Sequence, residues 1–209
     1  DVRITPLLPD CFRVKFITSR GNNNAILHHR EGNSSGTVLV GGAGGGLDGP
    51  ASIYRDMGPE LMEREVSSLR LDYRRRNNLE ECVLDVLIGI EFMKGMGVER
   101  FGLVGWSFGG AVVIQSGVLS DDVRAVVTVA SQTYGTDYVD QLSPKALLLI
   151  HGTGDRTLNS RLSEEIYTRA RQPKQIELYE SANHGVDQRR DDMKKRIEEF
   201  IARYLRSNE

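Results

Sequence analysis

Cysteine is nearly missing from this chain of 209 residues, which holds only Cys11 and Cys82. Two thiols cannot staple a secreted scaffold, and no paired Cys and His at ligand spacing suggest a structural zinc or any other metal. No apolar run reaches the roughly 20 residues that cross a bilayer, and no apolar leader opens the chain. An excess of charge is also lacking: 27 Lys and Arg against 29 Asp and Glu leave a net −2, which gives no field to draw in nucleic acid or a membrane surface. A small-molecule partner and a reducing cytoplasm are therefore expected, although the first residue is Asp1 and a trimmed leader stays open. Internal repeats, low-complexity tracts and linkers are absent as well. The length suits one domain over 1–209 with a sizeable core.

What is present is an alternation of strand-like and helix-like segments, the pattern of a mostly parallel sheet covered on both faces. Phe12–Ile17 and Ala25–His29 read as an edge hairpin turning at Ser19-Arg20-Gly21-Asn22. Six further strands are expected at 37–40, 69–73, 101–104, 125–129, 146–150 and 175–179, eight in all. Helices fit at about 51–65, 79–96, 108–117, 160–171 and 187–206. Cys82 falls on the apolar side of the second with Val83, Val86 and Ile90, so it reads as core. Met193, Ile197, Phe200, Ile201, Tyr204 and Leu205 form a packing stripe on the last, which Asp187 would cap.

The most specific signal is Gly105-Trp106-Ser107-Phe108-Gly109, directly after the strand ending at Val104 and before the apolar run Ala111–Ile114. A serine hydroxyl is a weak nucleophile unless a sharp strand-to-helix turn presents it to a base. Glycines two residues to either side let the chain pass close in such a turn. On these residues the chain resembles the α/β-hydrolase family, and the resemblance implies an α/β-hydrolase fold with an eight-stranded, mostly parallel sheet, no cap domain and no cofactor. The sixteen or so residues between the strands ending near Val129 and starting near Ala146 are too few for a helical lid. Small dienelactone-hydrolase-like or prolyl-peptidase-like catalytic domains are the nearest kinds. Dienelactone hydrolases carry a cysteine nucleophile where this chain has serine, so their narrower activity does not transfer.

The family runs nucleophile, acid, histidine in chain order. Asp155, in His151-Gly152-Thr153-Gly154-Asp155, and His184, in Ser181-Ala182-Asn183-His184-Gly185, each follow a strand, where a parallel sheet gathers its functional groups. The resemblance makes Ser107, Asp155 and His184 a catalytic triad acting on small or accessible acyl esters, with thioesters, amides and peptides open to the same machinery. His151 reads as a support for Asp155, and His28 and His29 fall on the hairpin.

An oxyanion also needs donors. Gly41-Gly42-Ala43-Gly44-Gly45-Gly46 follows the strand ending at Val40, where the family carries His-Gly-x-Gly. Matched residue by residue, Gly41 replaces the histidine, and the N–H groups of Ala43 and Phe108 become the donors. Losing that histidine puts the stiffness of the loop in question. Gly44-x-Gly46-x-x-Gly49 with Asp72 also satisfies a dinucleotide fingerprint, but it stands several residues beyond its strand and leaves the triad unexplained. A hydrolase-like fold kept as a binding module is the other alternative. An uncapped pocket would be walled by Leu47, Trp106, Arg74 and Tyr134, and the Arg74-Arg75-Arg76 tip could favour anionic substrates.

Overall fold

Runs that are apolar on both faces become the centre of the sheet in the computed structural model, which describes residues 1–206. β1 (Val2–Leu8), β2 (Cys11–Thr18), β3 (Gly21–His28), β4 (Ser35–Val40), β5 (Val66–Leu71), β6 (Arg100–Trp106), β7 (Val123–Val129), β8 (Ala146–Gly152) and β9 (Lys174–Tyr179) form one sheet. Their order is β1-β2-β3-β5-β4-β6-β7-β8-β9. β4 to β9 are parallel to one another, while β1, β2 and β3 form an antiparallel edge joined to β5.

The sheet thus has nine strands where eight were expected. The additional one, β1, is exposed along its whole length and contains Pro6. Val2-Arg3-Ile4-Thr5 alternates apolar and polar residues, but Pro6 interrupts the run; a proline lacks the N–H a ladder needs and is tolerated only because β1 lies at the sheet edge.

Side chains alternate across each strand, so two layers form. α1 (Ile53–Met62) and α5 (Arg190–Leu205) set Tyr54, Met57, Leu61, Ile197 and Ile201 against Leu39, Val104, Val127 and Leu148. On the other face α2 (Leu79–Lys94), α3 (Phe108–Leu119) and α4 (Arg161–Arg169) set Val86, Ile90, Val112, Val113 and Ile166 against Val38, Leu69, Leu103 and Leu149. Cys82 is wholly buried there, as its helical position implied. Asp187 does not cap α5, which begins three residues later; it exchanges hydrogen bonds with Asn183 and so ties the turn ahead of the helix.

Residues 130–145, between β7 and β8, contain only the 3-10 turn Val139–Leu142, so no cap rises over the carboxyl ends of the strands. Among the described residues no helix is long and apolar enough to cross a membrane.

Candidate active site

At the carboxyl end of β6 the chain turns into α3 through Ser107, whose φ of 56° and ψ of −120° are rare for a residue with a side chain. The turn is closed by Ser107 N–H donating to Val129 O (2.8 Å) and Gly110 N–H donating to Ser107 O (2.9 Å). A Cβ on Gly105 would lie 2.0 Å from Gly109 O, and one on Gly109 would lie 2.4 Å from Gly41 O. Both glycines of the motif are thus required by close backbone approach, one inside the turn and one against the neighbouring loop.

Asp155 and His184 meet where the loops after β8 and β9 interlock. Thr153 N–H reaches Tyr179 O, Gly154 N–H reaches Ala182 O and Ser181 N–H reaches Thr153 Oγ1, all at 2.9 Å. His184 Nδ1 then lies 2.7 Å from Asp155 Oδ2. The other carboxylate oxygen accepts the N–H groups of Thr157 (2.7 Å) and Leu158 (3.0 Å). Burial works to raise the pKa of Asp155, but the hydrogen bonds from Leu158, His184 and Thr157 outweigh it and hold the carboxyl below its ordinary range. An ionised acceptor at Nδ1 fixes the imidazole proton there and leaves Nε2 as the unprotonated nitrogen.

His151 stands behind this pair. Its Nε2 faces two acceptors, Asp155 Oδ2 at 3.1 Å and Leu158 O at 3.0 Å, so that nitrogen carries the proton. Nδ1 then accepts from the Ser163 hydroxyl at 2.7 Å. Burial lowers the pKa of His151 and keeps the ring neutral. The support for Asp155 read from the sequence is therefore a direct hydrogen bond; Ser163, on α4, carried no sequence signal of its own.

Trp106 connects the two halves of the site. Its indole N–H donates to His184 O (3.1 Å), and its ring lies 5.4 Å from the imidazole, centroid to centroid. The residue expected to wall a pocket thus braces the histidine loop against the elbow. Among the described residues no hydrogen bond joins Ser107 Oγ to His184.

The glycine-rich loop comes to the elbow at Gly42, where a Cβ would stand 3.8 Å from Ser107 Oγ. Ala43 lies exposed at the tip of a tight turn closed by Gly45 N–H donating to Gly42 O (2.9 Å), and Phe108 is the first residue of α3. Asp72 is engaged by the loop itself: Oδ1 accepts the N–H groups of Gly46 and Tyr73, both at 2.8 Å, and Oδ2 accepts from Arg76 (2.9 Å). A carboxylate so occupied has no free oxygen with which to hold a ribose. Among the described residues no group of three or more His, Cys, Asp or Glu is disposed to hold a metal ion.

Of the proposed pocket walls, Arg74 is corrected. Its side chain, 1% exposed, is bound by Asp85 and by Glu81 (3.2 Å), because α2 packs two acids one turn apart against the end of β5. β4 also lies between β5 and β6, so the arginine tip does not adjoin the strand that carries Ser107. Arg76 is paired with Asp72, and Arg75 is exposed. Tyr134 is exposed and lines a surface hollow with Asn78, Leu79 and Gln115, none of them a triad residue. Leu47 is half-buried on the glycine-rich loop.

Residues 54–205 match the dienelactone hydrolase family. YfhR, an uncharacterized protein of Escherichia coli K12, is 28% identical over 109 residues, which cover 41% of this chain and little more than a third (38%) of that protein. A dienelactone hydrolase from Anabaena variabilis has a TM-score of 0.82 at 15% identity, covering 94% of this chain and 98% of that one. XC6422 from Xanthomonas campestris, a serine hydrolase without a lid, has a TM-score of 0.79 at 14% identity over 98% and 100% of the two chains. At such identities the likeness establishes the shared capless α/β-hydrolase fold. With that fold and a family match across most of its length, the chain belongs to the dienelactone hydrolase family.

Proposed function

We propose that the chain is a cofactor-independent serine hydrolase that cleaves small or accessible acyl esters through an acyl-enzyme. Ser107 Oγ attacks the carbonyl as His184 Nε2 takes its proton, and Asp155 stabilises the resulting imidazolium. The N–H groups of Ala43 and Phe108 receive the oxyanion. Collapse of the tetrahedral intermediate breaks the ester bond, and the proton on His184 passes to the departing alkoxide. Water, deprotonated by the same imidazole, then attacks the acyl carbonyl, releasing the acid and restoring Ser107.

The observation that carries this reading is the Asp155–His184 hydrogen bond (2.7 Å), held beside the strained Ser107 turn through Trp106. The lidless XC6422 is itself a serine hydrolase, which favours serine chemistry over the cysteine chemistry of dienelactone hydrolases in the wider family. Thioesters and amides would use the same groups; an alkoxide leaves more readily than an amine anion, which places esters ahead of amides. The two cysteines are buried free thiols, which fits the proposed reducing cytoplasm.

A screen of aryl esters of graded acyl length, run beside Ser107→Ala, tests the proposal. Turnover of short esters by the parent chain and its loss in Ser107→Ala, by at least about 10³-fold, are expected. Substantial turnover by purified Ser107→Ala would sink the mechanism.

A further inference from the structure

Five of the six residues 41–46 are glycine, a composition that leaves a free chain many conformations. A donor on such a loop works only if something holds it, because it must stand about 2.7–3.1 Å from the developing oxyanion. The restraint comes from two tyrosines at the end of β4. Tyr54 donates its hydroxyl to Val40 O (3.1 Å), and Tyr73 donates to the next carbonyl, Gly41 O (2.9 Å). They arrive from opposite layers of the fold, Tyr54 from α1 and Tyr73 from the layer of α2 and α3.

Both phenols are buried, and burial raises their pKa values, so each hydroxyl stays a donor at any working pH. The far end of the loop wraps Tyr54: its N–H reaches Asp48 O (3.1 Å), and a Cβ on Gly49 would lie 2.4 Å from its ring. Tyr73 touches the other half of the site. A Cβ on Gly109 would be 3.1 Å from its hydroxyl, and its ring meets Phe108 edge-on at 6.2 Å. Asp72, beside it, grips the loop again at Gly46.

We propose that Tyr73 and Tyr54 are positioning residues that fix the glycine-rich loop against the start of α3, and so set the spacing between the N–H groups of Ala43 and Phe108. The inference rests on the serine-hydrolase reading above. Removing one hydroxyl leaves the ring and the pocket in place but lets the loop drift, and a displacement near 1 Å can cost about 10²-fold in rate. Because the oxyanion forms only in the transition state, the loss falls on kcat and leaves KM alone.

The test compares the parent chain, Tyr73→Phe, Tyr54→Phe, the double variant and Ser107→Ala. It reads kcat and KM on an aryl acetate, Tm, and amide hydrogen exchange over residues 41–49. Each single variant is expected to lose about tenfold or more in kcat with KM held within about twofold, with faster exchange in the loop. If one variant does not fold, the other carries the test. Parent-like kcat in the folded single variants, or losses that merely track unfolded protein, overturn the proposal. Inactive Ser107→Ala beside fully active tyrosine variants sinks the positioning role alone, whereas active Ser107→Ala sinks the mechanism and the positioning role together. If aryl acetates are not turned over, the rate at which a fluorophosphonate labels Ser107 replaces kcat, and no labelling refutes both.

Discussion

Asp155 and Asp85 are carboxylates with side chains wholly shielded from water, yet burial has opposite outcomes for them. Asp85 sits against the guanidinium of Arg74, and burial still raises its pKa, ahead of the lowering by that partner. Asp155 has no guanidinium; two backbone N–H groups and two imidazoles surround it, and its pKa is lowered. The difference lies in what meets the charge. Preorganised dipoles stabilise an anion without cancelling it, so Asp155 keeps a negative charge with which to orient and polarise His184. A full positive charge in contact makes the Asp85–Arg74 pair electrically quiet and ties β5 to α2. One buried acid serves the proposed chemistry and the other serves architecture.

The largest expected effect separates them directly. Asp155→Asn should lower kcat by about 10⁴-fold, as loss of the orienting carboxylate does in other triads, while Asp85→Asn should leave the kcat of folded protein near that of the parent. Steady-state kinetics normalised to folded protein decide this, and equal losses in kcat would erase the distinction. Asp155 also leaves a thermodynamic mark. Its folded pKa is depressed, so the stability it contributes is present above the unfolded value near 3.9 and drains away as pH falls. Denaturant titrations below about pH 4 should show a shallower acid limb in Asp155→Asn.

Next in size is Arg74→Gln. Breaking a buried pair on one side costs about 3–5 kcal/mol because the remaining charge is stranded. Asp85, already raised, would rise further without the guanidinium. A carboxyl whose folded pKa lies above its unfolded value adds stability when protonated and loses it as pH climbs, so the deficit should be greater at pH 8 than at pH 5. A deficit that does not change with pH would mean that Asp85 is not the stranded group.

The contrast also explains what could be read from the chain. Ser107, Asp155 and His184 each follow a strand and lie close to glycine, so local sequence carries their address and the parallel sheet brings those addresses to one end. Arg74 also follows a strand, and nothing within its own tripeptide distinguishes a pocket wall from half of a buried ion pair. The signal lay elsewhere: Glu81 and Asp85 stand one turn apart on the side of α2 that also buries Cys82 and Val86, a place for acids only if a cation meets them. Tyr54 and Tyr73 were silent for a related reason. Their partners are backbone carbonyls, and a carbonyl at a strand end has no residue type to betray it.

A smaller effect belongs to His151→Gln, which removes one of the hydrogen bonds to Asp155 and leaves the other three. A loss of about tenfold in kcat is expected, the worth of roughly one hydrogen bond to a charged group. Burial depresses the pKa of His151, so the native state loses stability as pH falls through the ordinary imidazole range near 6.5, where the unfolded ring takes up a proton. The variant should lose part of that slope. The remainder belongs to other buried rings such as His28, pushed down to about 4. An unchanged slope between pH 7 and 5 would remove His151 from this account.

The smallest effect concerns the arginine tip and the preference for anionic substrates that its sequence suggests. Arg74 is cancelled by Asp85 and Glu81, and Arg76 by Asp72, while Arg75 is exposed at the end of a strand separated from β6 by β4. Charges neutralised or displaced in this way should not select among substrates. On a matched pair of anionic and neutral aryl esters, Arg75→Gln should leave the ratio of kcat/KM within about twofold at low and high salt. Arg76→Gln differs in kind, because its partner Asp72 grips the loop at Gly46. An exposed pair of this type is worth at most about 1 kcal/mol, so kcat should fall less than about fivefold, equally for both esters. A fall confined to the anionic ester would show that Arg76 meets substrate and would restore the tip to the pocket. An equal fall would mean that its charge reaches the reaction only through the carboxylate that steadies the oxyanion loop.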